Sequence, residues 1–512
     1  ALALLLALGC TASASPVLTL REDGSTFVRE DRFLPASAAL PAVRVPRPAA
    51  RARAAVATDA PRRTVSGELA GLLAAGLIDQ PTHDSYREIH SAARATRAQL
   101  QGARRVALGA VLRNLEEIAA SGELVVSRLP SLFQTVARNR QWWSNGPLLS
   151  NGRRVSFAGS RLVWQYYSGE GLQIQWLGTF GKANGLWQGR IYDAQLRELL
   201  DEALTLAAQR AGGIAFEYLF RFDGGRPPWV SGLAQGTAVQ ALARAAVRLA
   251  QPRYFEAARA GLGIFREPPP AGVRVATPVG AHYLIYSFAP GLRVLNAFTQ
   301  ALNGLNDFAL LANDAEGRAL FAAGETQLRA ELPAYDTGGW SRYSLAPRDA
   351  DVHYHKLARD FLRNLCERLT ENLSRPQVST AAQTGGTPTP VPGATPPPPP
   401  ADPAPYCGAA QRFTSYLGQG PRMALVTSRA RAGRPISIRL DLDKPAFVTL
   451  SVRRQGRTVV VLRDRLGSGR RSLRWKHPPR GGGLFGVRLD ATDLVGNRGS
   501  SEGRLRVLRA RR

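Results

Sequence analysis

Cysteine is scarce in this 512-residue chain, which has only Cys10, Cys366 and Cys407. A disulfide-dense scaffold is excluded. If Cys10 leaves with an export leader, Cys366 and Cys407 permit one bond, provided that the loop geometry lets them meet. There is no CxxC or HExxH, and 6 scattered His give no metal-ligand spacing, so neither a structural metal nor a cofactor is expected. Acidic side chains are also few. Against 67 Lys and Arg, nearly all Arg, stand 39 Asp and Glu, a balance of +28. That excess favours a polyanionic partner, whether glycan, wall polymer, membrane surface or nucleic acid, or else it serves solubility alone.

Long hydrophobic runs are missing too. The opening ALALLLALGC is too short to span a bilayer, and Ala12-Ser13-Ala14 has the small-x-small pattern that signal peptidases cut. Residues 1–14 therefore read as the remnant of an export signal, and the protein as exported, extracellular or associated with the cell envelope. Lipid anchoring at Cys10 is the second option. The chain is nevertheless no disordered polymer, because 44% apolar residues suffice for at least one large core.

Residues 15–62 are rich in Ala, Pro and Arg without periodicity and are read as a poorly ordered arm. Helical spacing begins near residue 65 and recurs over 84–101, 104–121 and 128–141, so 63–150 form a first helical part. Two short strands around Ala158-Gly159 and an alternating piece at Leu172–Leu177 precede further helices at 188–210, 232–250, 253–265, 294–312, 317–332 and 354–373. Helix pairs with short strands at their loops suggest an α/α toroid with adjoining β structure, mainly α. Residues 375–419 read as a Pro-rich semi-rigid linker. Past it, alternating strands and Gly-containing turns over 420–512 fit an Ig-like β-sandwich. This tail holds 23 Lys and Arg against 6 Asp and Glu, so 23 − 6 = +17 of the net charge lies here, and an envelope polyanion is its expected partner.

The stretch AYDTGGWSRYSLAPRDADVHYHKL gathers Tyr335, Tyr343, His353, Tyr354 and His355 just before a helix. Tyr343 and Tyr354 are eleven positions apart with Pro347 between them, so only a folded loop could bring the phenols together. The order of GLAQGTAVQALARAA from Gly232, GLRVLNAFTQALNGLNDF from Gly291, LPAYDTGGWSRYSL from Leu332 and HYHKL from His353 resembles the C-terminal domain of D-glucuronyl C5-epimerases. The resemblance covers Leu172 to Leu373. It implies a toroidal catalytic domain that inverts C5 of glucuronic acid within an acidic polysaccharide, with no cofactor and no nucleic acid, and it admits a homodimer.

By that resemblance Tyr343 and Tyr354 match the family's two catalytic tyrosines. The chemistry suits them: a proton α to a carboxylate needs a base on one face of the sugar, an acid on the other, and cations for the enolate-like charge. Arg342, His353 and His355 are the candidate supporting groups, and Gln235, Asn296 and Tyr286 the candidate contacts to substrate. Gln235 and Asn296 could equally satisfy the domain's own loops. Where the family carries a glutamate, this chain has Ile285. Three accounts are open: the two tyrosines suffice, His282 or His355 substitutes, or the protein binds glycan without turnover. A uronate lyase, which begins with the same proton abstraction, is a further alternative. Trp164, Tyr166, Tyr167 and Trp176 read either as sugar-stacking aromatics or as core.

Overall fold

Helices begin where a side chain can satisfy the free amides of a first turn. Thr64 accepts from Gly67 ahead of α1 (Val65–Ala74), and Asp79 accepts from Thr82 ahead of α2 (Gln80–Gln99). With α3 (Gly102–Ala120) and α4 (Leu129–Asn145) they enclose one apolar cluster that includes Leu69, Ala93, Ile118 and Phe133. The computed structural model describes residues 15–34, 63–346, 348–374, 401–479 and 481–509. The expected signal remnant at 1–14 with Cys10, the arm over 35–62, Pro347 and the linker over 375–400 lie outside the described residues.

The expected arm is corrected at its start. β1 (Ser15–Leu20) and β2 (Thr26–Asp31) pair antiparallel, and β1 runs parallel to β3 (Arg154–Phe157), which continues through β4 (Trp164–Tyr167) to β5 (Gly171–Ile174). Val17 and Leu20 are buried. Five residues separate the two strands, and Gly24 at φ +83 with the Asp23 side chain accepting from Ser25 makes the turn between them. Trp164 of this sheet and Trp176 just past it are core: both are almost fully buried, and Trp164 packs edge-on against Phe157, whereas Tyr166 is half-buried.

Sequence periodicity also missed α5 (Trp176–Gln188), which holds Gly178, Gly181 and Gly185. Glycine lowers helix propensity, but here packing decides. A Cβ on Gly185 would lie 2.9 Å from the Phe33 carbonyl oxygen, and one on Gly178 would lie 3.2 Å from Val163. On the same helix, buried Lys182 pairs with buried Asp31 at 3.0 Å.

The remaining helices are α6 (Asp193–Leu204), α7 (Gly232–Arg248), α8 (Arg253–Ala260), α9 (Gly263–Arg266), α10 (Leu295–Leu311), α11 (Ala315–Glu331), α12 (Val352–Ser374) and α13 (Ala404–Tyr416). Short antiparallel pairs accompany them: β6 (Ala208–Arg210) with β7 (Gly213–Ala215), β8 (Arg274–Ala276) with β9 (Ala281–Tyr283), and β10 (Arg342–Ser344) with β11 (Arg348–Asp349). α7 and α10 meet backbone to backbone, since a Cβ on Gly236 would fall 2.6 Å from Ala301 Cα and one on Gly304 would fall 2.0 Å from the Gly236 oxygen. Beside that crossing, Asp307 Oδ2 accepts from Gln240 at 3.0 Å and Arg244 at 2.9 Å, while Arg244 also donates to Asn184 at 2.7 Å. A buried ion pair is tolerated only with such added hydrogen bonds.

The chain divides into two compact units, residues 1–292 with 300–324, and 293–299 with 325–512. In the second, the expected linker is corrected over 404–416, which form α13. Cys366 on α12 is disulfide-bonded to Cys407 on α13, with Cα atoms 5.0 Å apart. Then come β12 (Met423–Leu425), β13 (Arg429–Arg431), β14 (Ile436–Leu442), β15 (Ala446–Arg454), β16 (Arg457–Leu466), β17 (Gly469–Trp475), β18 (Gly483–Asp493) and β19 (Arg498–Leu508). They form two sheets, ordered β12-β14-β17 and β13-β19-β18-β15-β16. Inward residues such as Ile438, Leu450, Trp475, Phe485 and Leu489 make one core between them. The architecture is a mainly helical core with a separate C-terminal β-sandwich-like module. Among the described residues no helix is long and apolar enough to cross a membrane.

Two glycine substitutions are expected to have opposite signs. Gly236→Ala overpacks the α7–α10 crossing and costs about 1–3 kcal/mol despite alanine's better helix propensity. Gly71→Ala, in α1 with open space around it, gains about 0.5–1 kcal/mol. Urea unfolding midpoints check both, and equal signs would contradict the packing argument. Cys366→Ser opens a 41-residue loop and is expected to cost up to about 4 kcal/mol. After proteolysis between α12 and α13, wild-type fragments should separate on a gel only when reduced.

Candidate active site

Tyr343 lies in β10, where the pairing with β11 slips: Arg342 faces Asp349 and Ser344 faces Arg348, with an irregularity between them. A bulge of this kind re-aims a side chain. Tyr354 lies in the first turn of α12, whose start is capped by Asp351 Oδ1 accepting the Tyr354 amide at 2.8 Å. The two rings meet edge to face with centroids 4.9 Å apart. Both are buried, Tyr343 to 3% exposure and Tyr354 to 6%. Exposed Arg348 lies over the Tyr343 ring at 5.4 Å. Burial first, then the neighbouring Tyr343 and Asp351, push the Tyr354 phenol far above the ordinary phenol range, with Arg348 opposing them.

Arg348, not Arg342, is therefore the cation at this pair. Adjacent residues of a strand point to opposite faces, and the Arg342 guanidinium instead donates to the Ala334 carbonyl at 3.3 Å. The two histidines of α12 also part company, because residues two apart on a helix do not share a face. His353 is exposed and touches Tyr354 only ring edge to ring, at 5.6 Å.

His355 is fully buried and occupied on every side. Its Nδ1 accepts from the Ser341 amide at 3.2 Å and lies 2.8 Å from the Ser341 hydroxyl, its Nε2 donates to the Phe413 carbonyl at 2.9 Å, and its ring stacks on Trp340 at 3.8 Å. This pattern fixes a neutral imidazole, and burial pulls its pKa down to about 4. It is a bracket between the Trp340 loop and α13, and not a group free to replace a missing acid.

That loop is anchored to α13 and to the sandwich module. Asp336 accepts from Gly338, closing the turn, and also from Arg412 at 2.8 Å and the Tyr416 hydroxyl at 3.0 Å. Thr337 donates to the Asp443 carbonyl at 2.6 Å, and Arg422 reaches the Gly338 carbonyl. At the other end of the hairpin, Asp349 accepts from the Ser468 amide at 2.6 Å and the Ser468 hydroxyl at 2.5 Å.

Asn296 is buried in the first turn of α10. In the first unit, Gln235 is spent on its own surroundings, accepting from the Phe216 amide and donating to the carbonyls of Ile214 and Gly261. His282 is fully buried in β9 opposite Val275. Tyr286 lies in an aromatic cluster, stacked on Phe288 at 5.2 Å and edge-on to Trp229 at 5.4 Å. Ile285 beside it is buried, with no carboxylate to offer. Arg348 and Asp351 went unrecognised in the sequence. Their signal was there, in a charged residue four positions past a strand end and an Asp three positions before Tyr354.

The helical segment that carries these phenols has a recognised counterpart. Residues 211–378 match the family model described as "D-glucuronyl C5-epimerase C-terminus", which relates this segment to the C5-epimerase superfamily. More particularly, the chain is 32% identical over 149 residues to D-glucuronyl C5-epimerase of Caenorhabditis elegans, covering 25% of this chain and 24% of that protein. It is 26% identical over 136 residues to an uncharacterized protein of Methanocaldococcus jannaschii, covering 26% of this chain and 44% of that one. The chain thus spans less than half the length of either relative. Unsaturated glucuronyl hydrolase of Bacillus sp. GL1 overlaps with a TM-score of 0.30 and 12% identity, over 47% of this chain and 60% of that one, a likeness too slight to transfer anything.

The His355 bracket predicts an acid-sensitive fold. The unfolded chain takes up this proton below about pH 6.5, whereas the native imidazole resists until about 4. The stability is therefore fully present above pH 6.5 and is lost as the pH falls towards 4, by up to about 3 kcal/mol. In urea titrations from pH 7.5 to 4, His355→Gln should be less stable than wild type at pH 7.5 and fall less steeply. An unchanged slope would remove His355 from the account.

Proposed function

We propose that this chain is a uronate C5-epimerase acting on an acidic polysaccharide, with Tyr343 and Tyr354 as its proton-transfer pair. The observation that carries this reading is the contact between the two phenols under Arg348, within a segment similar to the epimerase C-terminus. On this reading the helix pairs close into the α/α toroid of that family. Tyr343, beneath the cation, takes the C5 proton as a phenolate. The electron pair passes into the carboxylate as an enolate-like dianion, for which Arg348 is the nearest counter-charge. Tyr354, held as a neutral phenol by burial, returns a proton to the opposite face. One proton leaves and one arrives, so the uronate changes configuration without changing composition. Because the rings touch, the sugar must enter at their hydroxyl ends, with one hydroxyl reaching each face of C5.

A second reading rests on Ile285 and on the burial of the Tyr343 hydroxyl: a glycan-binding protein without turnover. The two are distinguished by incubating the full chain with glucuronosyl polymer deuterated at C5 in ordinary water. Epimerase action exchanges the label and yields iduronate. Tyr343→Phe and Tyr354→Phe should each slow exchange by about 10²–10⁴-fold while polymer binding stays unchanged. No exchange on any acidic polymer leaves the binding protein, and unsaturated product absorbing in the ultraviolet identifies a lyase.

A further inference from the structure

The outer face of the five-stranded sheet in the sandwich module is not an ordinary solvated surface. On β19 the buried Leu505 and Val507 alternate with exposed Arg504 and Arg506, and on β15 buried Val448, Leu450 and Val452 alternate with an outward row that runs from Phe447 to Arg453. Register places Arg465 and Thr492 beside Phe447, Arg498 beside Thr492, and Arg429 directly beside Arg506. Like charges side by side on neighbouring strands repel. The carboxylates facing outward among the described residues of this sheet are Asp490 and Glu502, and Arg488 already pairs with both. Arg453, Arg465, Arg498, Arg504 and Arg506 form no ion pair among the described residues. Phe447 is 57% exposed, with the Arg465 guanidinium 5.7 Å over its ring.

One end of this face adjoins the candidate active site. β16 runs from Arg465 through Leu466 into the Gly467-Ser468 turn, and Ser468 holds Asp349 of the hairpin that carries Tyr343 and Arg348. In the turn that leads into the neighbouring strand β15, the Asp443 carbonyl accepts from Thr337, four residues before Phe447. From Phe447 to Arg453 the face extends ~20 Å further.

We infer that this face binds the stretch of an acidic glycan lying outside the active site, with arginines for uronate carboxylates, Phe447 for a sugar ring, and Thr449, Thr492 and Ser500 for hydroxyls. The choice of a uronate glycan over other polyanions rests on the function proposed above. It is favoured by the exposed aromatic and the hydroxyls between the charges, which a purely electrostatic surface for phosphates would not need.

The test uses the full chain and a readout independent of turnover. Titrate it with polyglucuronate, an uncharged glucan of the same length, inorganic polyphosphate and anionic phospholipid vesicles. Polyglucuronate should bind best, and more weakly as salt rises. Phe447→Ala should weaken polyglucuronate by about tenfold and leave polyphosphate unaffected. Arg504→Glu with Arg506→Glu should weaken every polyanion, while C5 exchange on a disaccharide too short to reach the face stays at the wild-type rate. Tighter binding of polyphosphate or vesicles, or an unchanged affinity in Phe447→Ala, overturns the assignment. Polyglucuronate binding that depends on Phe447 in a chain without C5 exchange upholds this site and defeats the epimerase. Exchange with no loss of affinity in either variant does the reverse.

Discussion

Trp340 is the side chain on which the second unit turns. Its indole stacks on His355 at 3.8 Å, donates through Nε1 to the Ala350 carbonyl at 2.8 Å, and has the Lys444 ammonium 5.5 Å from its ring. His355 belongs to α12, Ala350 follows β11, and Lys444 lies in the turn between β14 and β15, so one aromatic ring fixes a helix, a hairpin and the sandwich at once. Lys444 is itself buried. It survives there because Tyr416 and Gln419 supply carbonyls at 2.7 and 2.5 Å and Asp493 a carboxylate at 3.2 Å. Each member of this assembly would be costly to bury alone.

The candidate active site inherits its geometry from that assembly. β10 leads out of the Trp340 loop and α12 begins immediately after β11, so the distance between Tyr343 and Tyr354 is set by how the hairpin is held. The sandwich therefore acts as more than a tail on a string. Its turns at Asp443 and Ser468 grip both sides of the hairpin, and the disulfide ties α13 to α12 whatever path the chain takes between them. The proton-transfer role proposed for the two phenols would require this rigidity, since reacting groups lose effectiveness with small displacements.

Charge is distributed by the same logic. Inside, two buried arginines are matched by acids, Arg128 by Glu217 at 2.6 Å and Arg244 by Asp307 at 2.9 Å. Outside, on the five-stranded sheet of the sandwich, Arg488 pairs with Asp490 and Glu502, whereas Arg453, Arg465, Arg498, Arg504 and Arg506 form no ion pair among the described residues. Arginine is thus structural where acids stand opposite it and leaves an excess of positive charge on one exposed face where they do not.

Apolar periodicity and capping residues were enough to read most helices, because these depend on residues three and four apart. Alternation was enough to read the sandwich, and the motif order was enough to point to Tyr343 and Tyr354. What sequence spacing could not show was which neighbour acts on which. Arg342 adjoins Tyr343 in the chain and faces away from it, whereas Arg348 lies over the ring because a hairpin folds back. His355 looked like a helper to Tyr354 and is spent on Trp340 and Phe413. β1 and β2 were hidden in an Ala- and Pro-rich stretch, and α5 behind its glycines, because partners far along the chain stabilise both. The sequence by itself determined net charge and the conformation of most helices, and it pointed to the candidate groups of the site. Only the tertiary structure decided their pairing, since a side chain's direction and its burial depend on residues far from it in sequence.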